Sequence, residues 1–79
     1  MEISFIGRSR LSVIDDSGRR LEVEGEVFLE RDPDFMIYPE SLRQWADGIS
    51  VTDDERRELL ERIVQTAAER GWNFHVSWL

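Results

Sequence analysis

The feature that most constrains this chain is a two-row alternation on either side of Asp16-Ser17-Gly18. A three-residue hairpin loop needs a left-handed residue at its end, and Gly18 supplies it without a Cβ clash. That loop sets Asp15 opposite Arg19. Val13 then meets Leu21, Leu11 meets Val23, Gly7 meets Val27 and Phe5 meets Leu29. Every pair in that row is apolar or glycine. The other row pairs Ser12 with Glu22, Arg10 with Glu24, Arg8 with Glu26 and Ile6 with Phe28. A slip of one residue would mix the two faces, so the register is strongly specified. Residues 1–31 therefore read as one long β-hairpin with one face toward a core and the other toward water.

The rest of the chain supplies the cover for that core. Asp32-Pro33-Asp34 is a turn, because proline sets φ and the flanking aspartates bond local backbone. Phe35-Met36-Ile37-Tyr38 is a short strand (35–38) ended by Pro39. Residues 40–51 are irregular, with Leu42 and Trp45 sharing one side if a turn of helix forms. Thr52-Asp53-Asp54-Glu55 is a capping box that opens a helix over 52–70. Leu59, Leu60, Ile63, Val64, Ala67 and Ala68 form its apolar stripe, and Gly71 ends it. Arg57 with Glu61 and Glu58 with Arg62 are spaced as i,i+4 pairs on its wet side. Trp72, Phe74, Val76 and Trp78 alternate with Asn73, His75 and Ser77 in a last strand, 72–78. The expected fold is α+β, a single domain over 1–79. A four-stranded, mainly antiparallel sheet carries one long helix on one face. The helix returns the chain from the third strand, so the last strand can lie parallel to the third.

Composition narrows the function. The chain has no cysteine, which excludes disulfides, thiolate metal sites and a Cys nucleophile. All ten basic residues are arginine against 17 acids, for a net charge of −7. Nucleic-acid binding is disfavoured, because phosphate neutralisation needs a basic patch. No apolar run approaches the roughly 18 residues of a membrane span, and the start lacks the charge and apolar length of a signal peptide. A cytoplasmic bacterial protein is the expectation. No glycine-rich loop precedes the helix, whose first turn carries three acids, so no phosphate cradle is expected. Asp32-x-Asp34 and Asp53-Asp54-Glu55 are oxygen clusters. They read as a turn and a cap rather than as metal sites, and no cofactor is expected.

Two features could carry function. His75 is the single imidazole and could act as a general base, but only Asn73 and Ser77 share its face, and no catalytic constellation is visible. No enzyme activity is expected. The polar row of the hairpin says more. Glu22, Glu24, Glu26 and Glu30 alternate along one strand, with Phe28 among them and Ile6 beside it. An aromatic within a charged surface is the usual form of a binding hot spot, and acidic surfaces attract cationic partners. The same row also fits a solvated sheet face whose charges serve cross-strand pairing. Trp45 either covers the open end of the core or anchors a partner. The candidate partner-binding set is Glu22, Glu24, Glu26, Phe28, Glu30 and Trp45.

Tyr38, Ser41 and Trp45, the Ile49-Ser50-Val51-Thr52 approach to the capped helix, Gly71 and the terminal strand together resemble the immunity protein 74 family. These are small bacterial proteins that protect cells from polymorphic toxins. The resemblance is most specific in the second half of the chain. It departs from the family pattern after the tryptophan, where Ala46-Asp47-Gly48 replaces an early proline. It implies a non-enzymatic binding protein whose partner is a cognate toxin or another basic protein. The alternative is a small regulatory or adaptor domain that binds another host protein.

Overall fold

Asp15 explains why the chain reverses where it does. Its Oδ1 accepts hydrogen bonds from the Ser17 amide at 3.0 Å, the Ser17 hydroxyl at 2.8 Å and the Arg19 amide at 2.8 Å. Gly18 completes the turn at φ = 87°, a conformation that favours glycine. The computed structural model describes residues 1–28 and 34–77. Its strands are β1 (Glu2–Phe5), β2 (Arg10–Ile14), β3 (Arg20–Val27), β4 (Phe35–Ile37) and β5 (Phe74–Val76). Its one α-helix is α1 (Asp53–Glu69), and a 3-10 turn spans Pro39–Ser41.

Across the Asp15 turn the register is the one the alternation dictates. Arg10 faces Glu24, Leu11 faces Val23, Ser12 faces Glu22 and Val13 faces Leu21. Beyond Arg10 the expected long hairpin over 1–31 gives way to a different path. The chain bends through Gly7-Arg8-Ser9, and the Ile6 amide bonds the Arg10 carbonyl at 3.1 Å. β1 then runs back along the other side of β2, with Ile3 opposite Val13 and Phe5 opposite Leu11. The pairs Gly7–Val27, Arg8–Glu26 and Ile6–Phe28 are therefore not made, and the Phe5–Leu29 pair lies outside the described residues. On its other edge, the far half of β3 pairs with β4, setting Gly25 against Ile37 and Val27 against Phe35. The sheet has five strands rather than four, in the order β1-β2-β3-β4-β5. Three pairings are antiparallel, and β5 lies parallel to β4, with Phe35 opposite Phe74. Leu29, Glu30, Asp32, Pro33 and Trp78 fall outside the described residues.

The helix begins as its cap predicts. Thr52 Oγ1 accepts from the Glu55 amide at 3.1 Å, and Glu55 Oε1 accepts from the Thr52 amide at 3.0 Å. It ends in a Schellman arrangement. Gly71 turns at φ = 79°, its amide bonds the Ala68 carbonyl, and the Trp72 amide bonds the Ala67 carbonyl. Leu59, Leu60, Ile63 and Ala67 are buried, Val64 is half-buried, and Ala68 lies at the exposed margin. The helix's ion pairs differ from the expected i,i+4 set. Arg56 pairs with Asp53, Glu55 with Arg19, and Arg62 with Asp16 of the hairpin turn.

The buried helix stripe joins one cluster with Ile3, Leu11, Val13, Leu21, Val23, Phe35, Ile37 and Phe74 from the inner sheet face. The sheet twists enough to bring β1 toward β5. The Phe5 ring meets Phe35, Phe74 and Trp72 edge-on at centroid separations of 5.8, 6.1 and 5.4 Å. Arg70 reaches across and donates to the Ile3 carbonyl at 2.8 Å. Leu42, Trp45 and Val51 close the opposite end.

Candidate protein-binding face

The outer sheet face follows from the period of two. With Leu21, Val23 and Gly25 buried, the side chains of Glu22, Glu24 and Glu26 must point away from the helix, and all three are exposed. Their cross-strand neighbours on that face are Ser12, Arg10, Met36 and, beyond Met36, His75. Arg10 pairs with Glu22 rather than with Glu24, at 3.9 Å, with both side chains more than half exposed. Such a pair contributes little in water, so it leaves the carboxylate row available. Glu26 lies against the Tyr38 phenol. Hydrogen bonding to that carboxylate, followed by burial and the charges of Glu26 and Glu40, pushes the phenol's pKa up.

β4 is short, and this shapes the rest of the face. After Ile37 the chain leaves the ladder and lies along the near half of β3. The Tyr38 amide bonds the Glu24 carbonyl at 2.9 Å, Ser41 Oγ accepts from the Glu24 amide at 2.9 Å, and the Ala46 amide bonds the Arg20 carbonyl at 2.7 Å. A cleft of about 610 Å³ remains between this segment and the strand, with Arg20, Glu22, Glu24, Arg43, Trp45 and Ala46 among its lining residues. A smaller hollow of about 320 Å³ continues it past Glu24, Tyr38, Glu40 and Arg43. Residues 44–50 fold into a small turn, with Gln44 bridging Ser50 and Gly48 at φ = 89°.

Trp45 is 4% exposed, so it closes the core end. The Arg19 guanidinium lies 3.8 Å from its ring centroid and also reaches Glu55 at 3.3 Å. One arginine thus ties the hairpin, the irregular segment and the helix together. The indole Nε1 is buried without a hydrogen-bond partner among the described residues, although the ring lines the cleft. Phe28 is half-buried at the end of β3, where its amide bonds the Asp34 carbonyl at 3.0 Å. Ile6 is exposed in the β1–β2 turn. Glu30 lies outside the described residues. The structure therefore brings Glu22, Glu24 and Glu26 together and puts Trp45 beside them. It adds Tyr38, Glu40, Ser41 and Ala46. Only the shortness of the 35–38 strand, ended by Pro39, hinted at these additions.

His75 is exposed on the same face as Glu26 and Met36. Among the described residues no cluster of three or more His, Cys, Asp or Glu side chains could hold a metal ion. No helix among them is long and apolar enough to cross a membrane.

The family model for immunity protein 74 matches residues 3–77. The chain belongs to that family. No curated protein and no solved structure matches it. The match runs from β1 through β5 and takes in both the outer sheet face and the segment that borders the cleft. The immunity protein 74 fold in this chain is accordingly one helix on a five-stranded mixed sheet.

Proposed function

We propose that this chain is an immunity protein that neutralises a cognate toxin by direct binding, with no catalysis of its own, and that the outer sheet face is its docking surface. Family membership over residues 3–77 carries the reading. The face is supported by physical argument. The opposite face is consumed by the helix and core, while Glu22, Glu24 and Glu26 stand exposed in a row beside a cleft. A net charge of −7 suits a basic partner, which such a surface would draw in and orient. Glu22, Glu24, Glu26, Phe28, Glu30 and Trp45 remain the proposed contact set. Trp45 would act by shaping the cleft wall rather than by inserting into the partner.

The test is co-expression with the product of the open reading frame neighbouring this chain's gene, assayed as the toxin. Growth should be restored, and the two proteins should co-purify in a fixed ratio. Restored growth without a complex would point to an indirect mechanism. Failure of both would overturn the reading.

A further inference from the structure

The interrupted edge of β3 is the most specific feature of this face. The Asp15–Arg19 and Gly25–Ser9 bonds fix which residues of β3 bond to β2. By alternation, the backbone groups of Arg20, Glu22 and Glu24 point the other way, toward the 38–46 segment. That segment satisfies Glu24 through Tyr38 and Ser41, and it satisfies Arg20 through Ala46. Glu22 stands opposite Ser12 at a non-hydrogen-bonded position of the β2–β3 ladder, and outside the ladders no bond to its amide or carbonyl is made among the described residues. Glu22 is therefore a gap in an otherwise paired strand, and the 610 Å³ cleft opens onto it. An unpaired strand edge is a template for another chain.

We infer that the toxin places a short extended segment in this cleft, pairing its main chain with the Glu22 N–H and C=O and directing a basic side chain at the Glu22 and Glu24 carboxylates. The inference rests on the immunity reading and specifies its contact. Arg20 to Glu24 spans about 13 Å at roughly 3.3 Å per residue, so the gap admits about three residues rather than a full strand. In this mode main-chain bonds supply affinity and flanking side chains supply selectivity. Charge complementarity favours a basic occupant. The carboxylates of Glu22 and Glu24 flank the gap, and the Arg10 pairing with Glu22 is a long, exposed one. Arg20 and Arg43 also line the cleft and balance these two carboxylates, Arg43 bonding the Glu40 carbonyl at 3.1 Å, so the preference for a basic occupant comes from the chain's net charge of −7 rather than from the lining itself.

The experiment is amide hydrogen exchange, read residue by residue on the free chain and on its complex with the toxin identified by that co-expression. The Glu22 amide should exchange fast in the free chain and slow by at least tenfold in the complex. The Leu21 and Val23 amides, already in the β2–β3 ladder, should change little by comparison. Two variants give a second readout. Ala46→Trp fills the cleft from an exposed position and should weaken the complex by tenfold or more. Gln65→Trp, on the helix, should leave affinity unchanged. Unchanged urea midpoints would show that both variants fold. A complex that forms without protecting Glu22, or that tolerates Ala46→Trp, overturns this inference and leaves the immunity reading standing. Absence of any complex with the wild-type chain overturns both.

Discussion

Gly25 offers a sharp test of the architecture, because two effects of one methyl group oppose each other there. At an unstrained position, Gly→Ala stabilises by about 0.4–1 kcal/mol by restricting the unfolded chain. Gly25 sits in β3 opposite Ile37, with its φ outside the left-handed region. A Cβ at this position would stand 2.7 Å from two carbons of the Phe35 ring and closer still to the Met36 carbonyl oxygen, inside the 3.0 Å that real Cβ atoms essentially never breach. Phe35 is fully buried, and the oxygen belongs to the neighbouring strand, so neither can swing aside. Overpacking of this kind costs about 1–3 kcal/mol. Parting β3 from β4 would also strand ladder groups at about 1–3 kcal/mol each. The clash should win, with a net loss of about 3 kcal/mol or more, set against a total stability of about 5 kcal/mol or somewhat above. With a urea slope of roughly 1–1.5 kcal/mol/M, the midpoint should fall by about 2–3 M. Gly7→Ala is the control. A Cβ there meets nothing within 4 Å, so the same substitution should raise the midpoint slightly. A Gly25→Ala midpoint at or above wild type would refute the close β3–β4 approach, and with it the placement of Tyr38 and Ser41 along β3.

Other outcomes follow from the packing and the charges. Ile63→Ala, at a fully buried position under the sheet, should cost about 2–5 kcal/mol by urea denaturation, enough to unfold much of the population. Thr52→Ala should cost about 1 kcal/mol in the same assay, because the Glu55 amide loses its acceptor. Acid should destabilise the fold in a defined window. Glu55 is depressed by its bond from the Thr52 amide, and Asp16 by the N-terminal ammonium and then Arg62. In Asp15, burial opposes ionisation, but bonds from Ser17 and Arg19 outweigh it and the net shift is downward. Groups depressed on folding bind fewer protons in the native state. Their stabilisation is therefore complete above the unfolded value near 4 and lost as pH falls through the lower folded values. Urea midpoints should hold from neutrality to about pH 5 and then drop. Glu55→Gln, which keeps the capping acceptor but cannot ionise, should make that drop shallower.

Local chemistry was the legible part of this fold. The Asp15–Gly18 turn, the β2–β3 register, the capping box at Thr52 and the Gly71 ending each depend on residues within a few positions of one another, and each appears as read. The path of β1 was not legible, for a definite reason. Phe5 and Ile3 keep the same face whether they pair across the turn at 16–18 or fold back across the bend at 7–9, so alternation cannot choose. The choice rests on the bend at 7–9, which swings β1 to the free edge of β2 and brings Phe5 onto Phe35, Trp72 and Phe74, contacts that lie far away in sequence. The exposed carboxylates were legible for the same period-of-two reason. The cleft beside them was not. It arises where tertiary contacts end β4 early and lead the chain from Tyr38 to Ala46 along β3, bonding only alternate acceptors and donors.

The central claim, that the outer sheet face binds the toxin, is most directly tested by association kinetics with that toxin at several salt concentrations. The double variant Glu24→Arg/Glu26→Arg is compared with Glu61→Arg on the helix. Charges at such a surface steer encounter, so the double variant should associate at least tenfold more slowly at low salt and lose most of its salt dependence. Glu61→Arg should behave like the wild-type chain. A double variant that associates at the wild-type rate, or a Glu61→Arg variant that is the slower of the two, would contradict the account and move the interface to the helix.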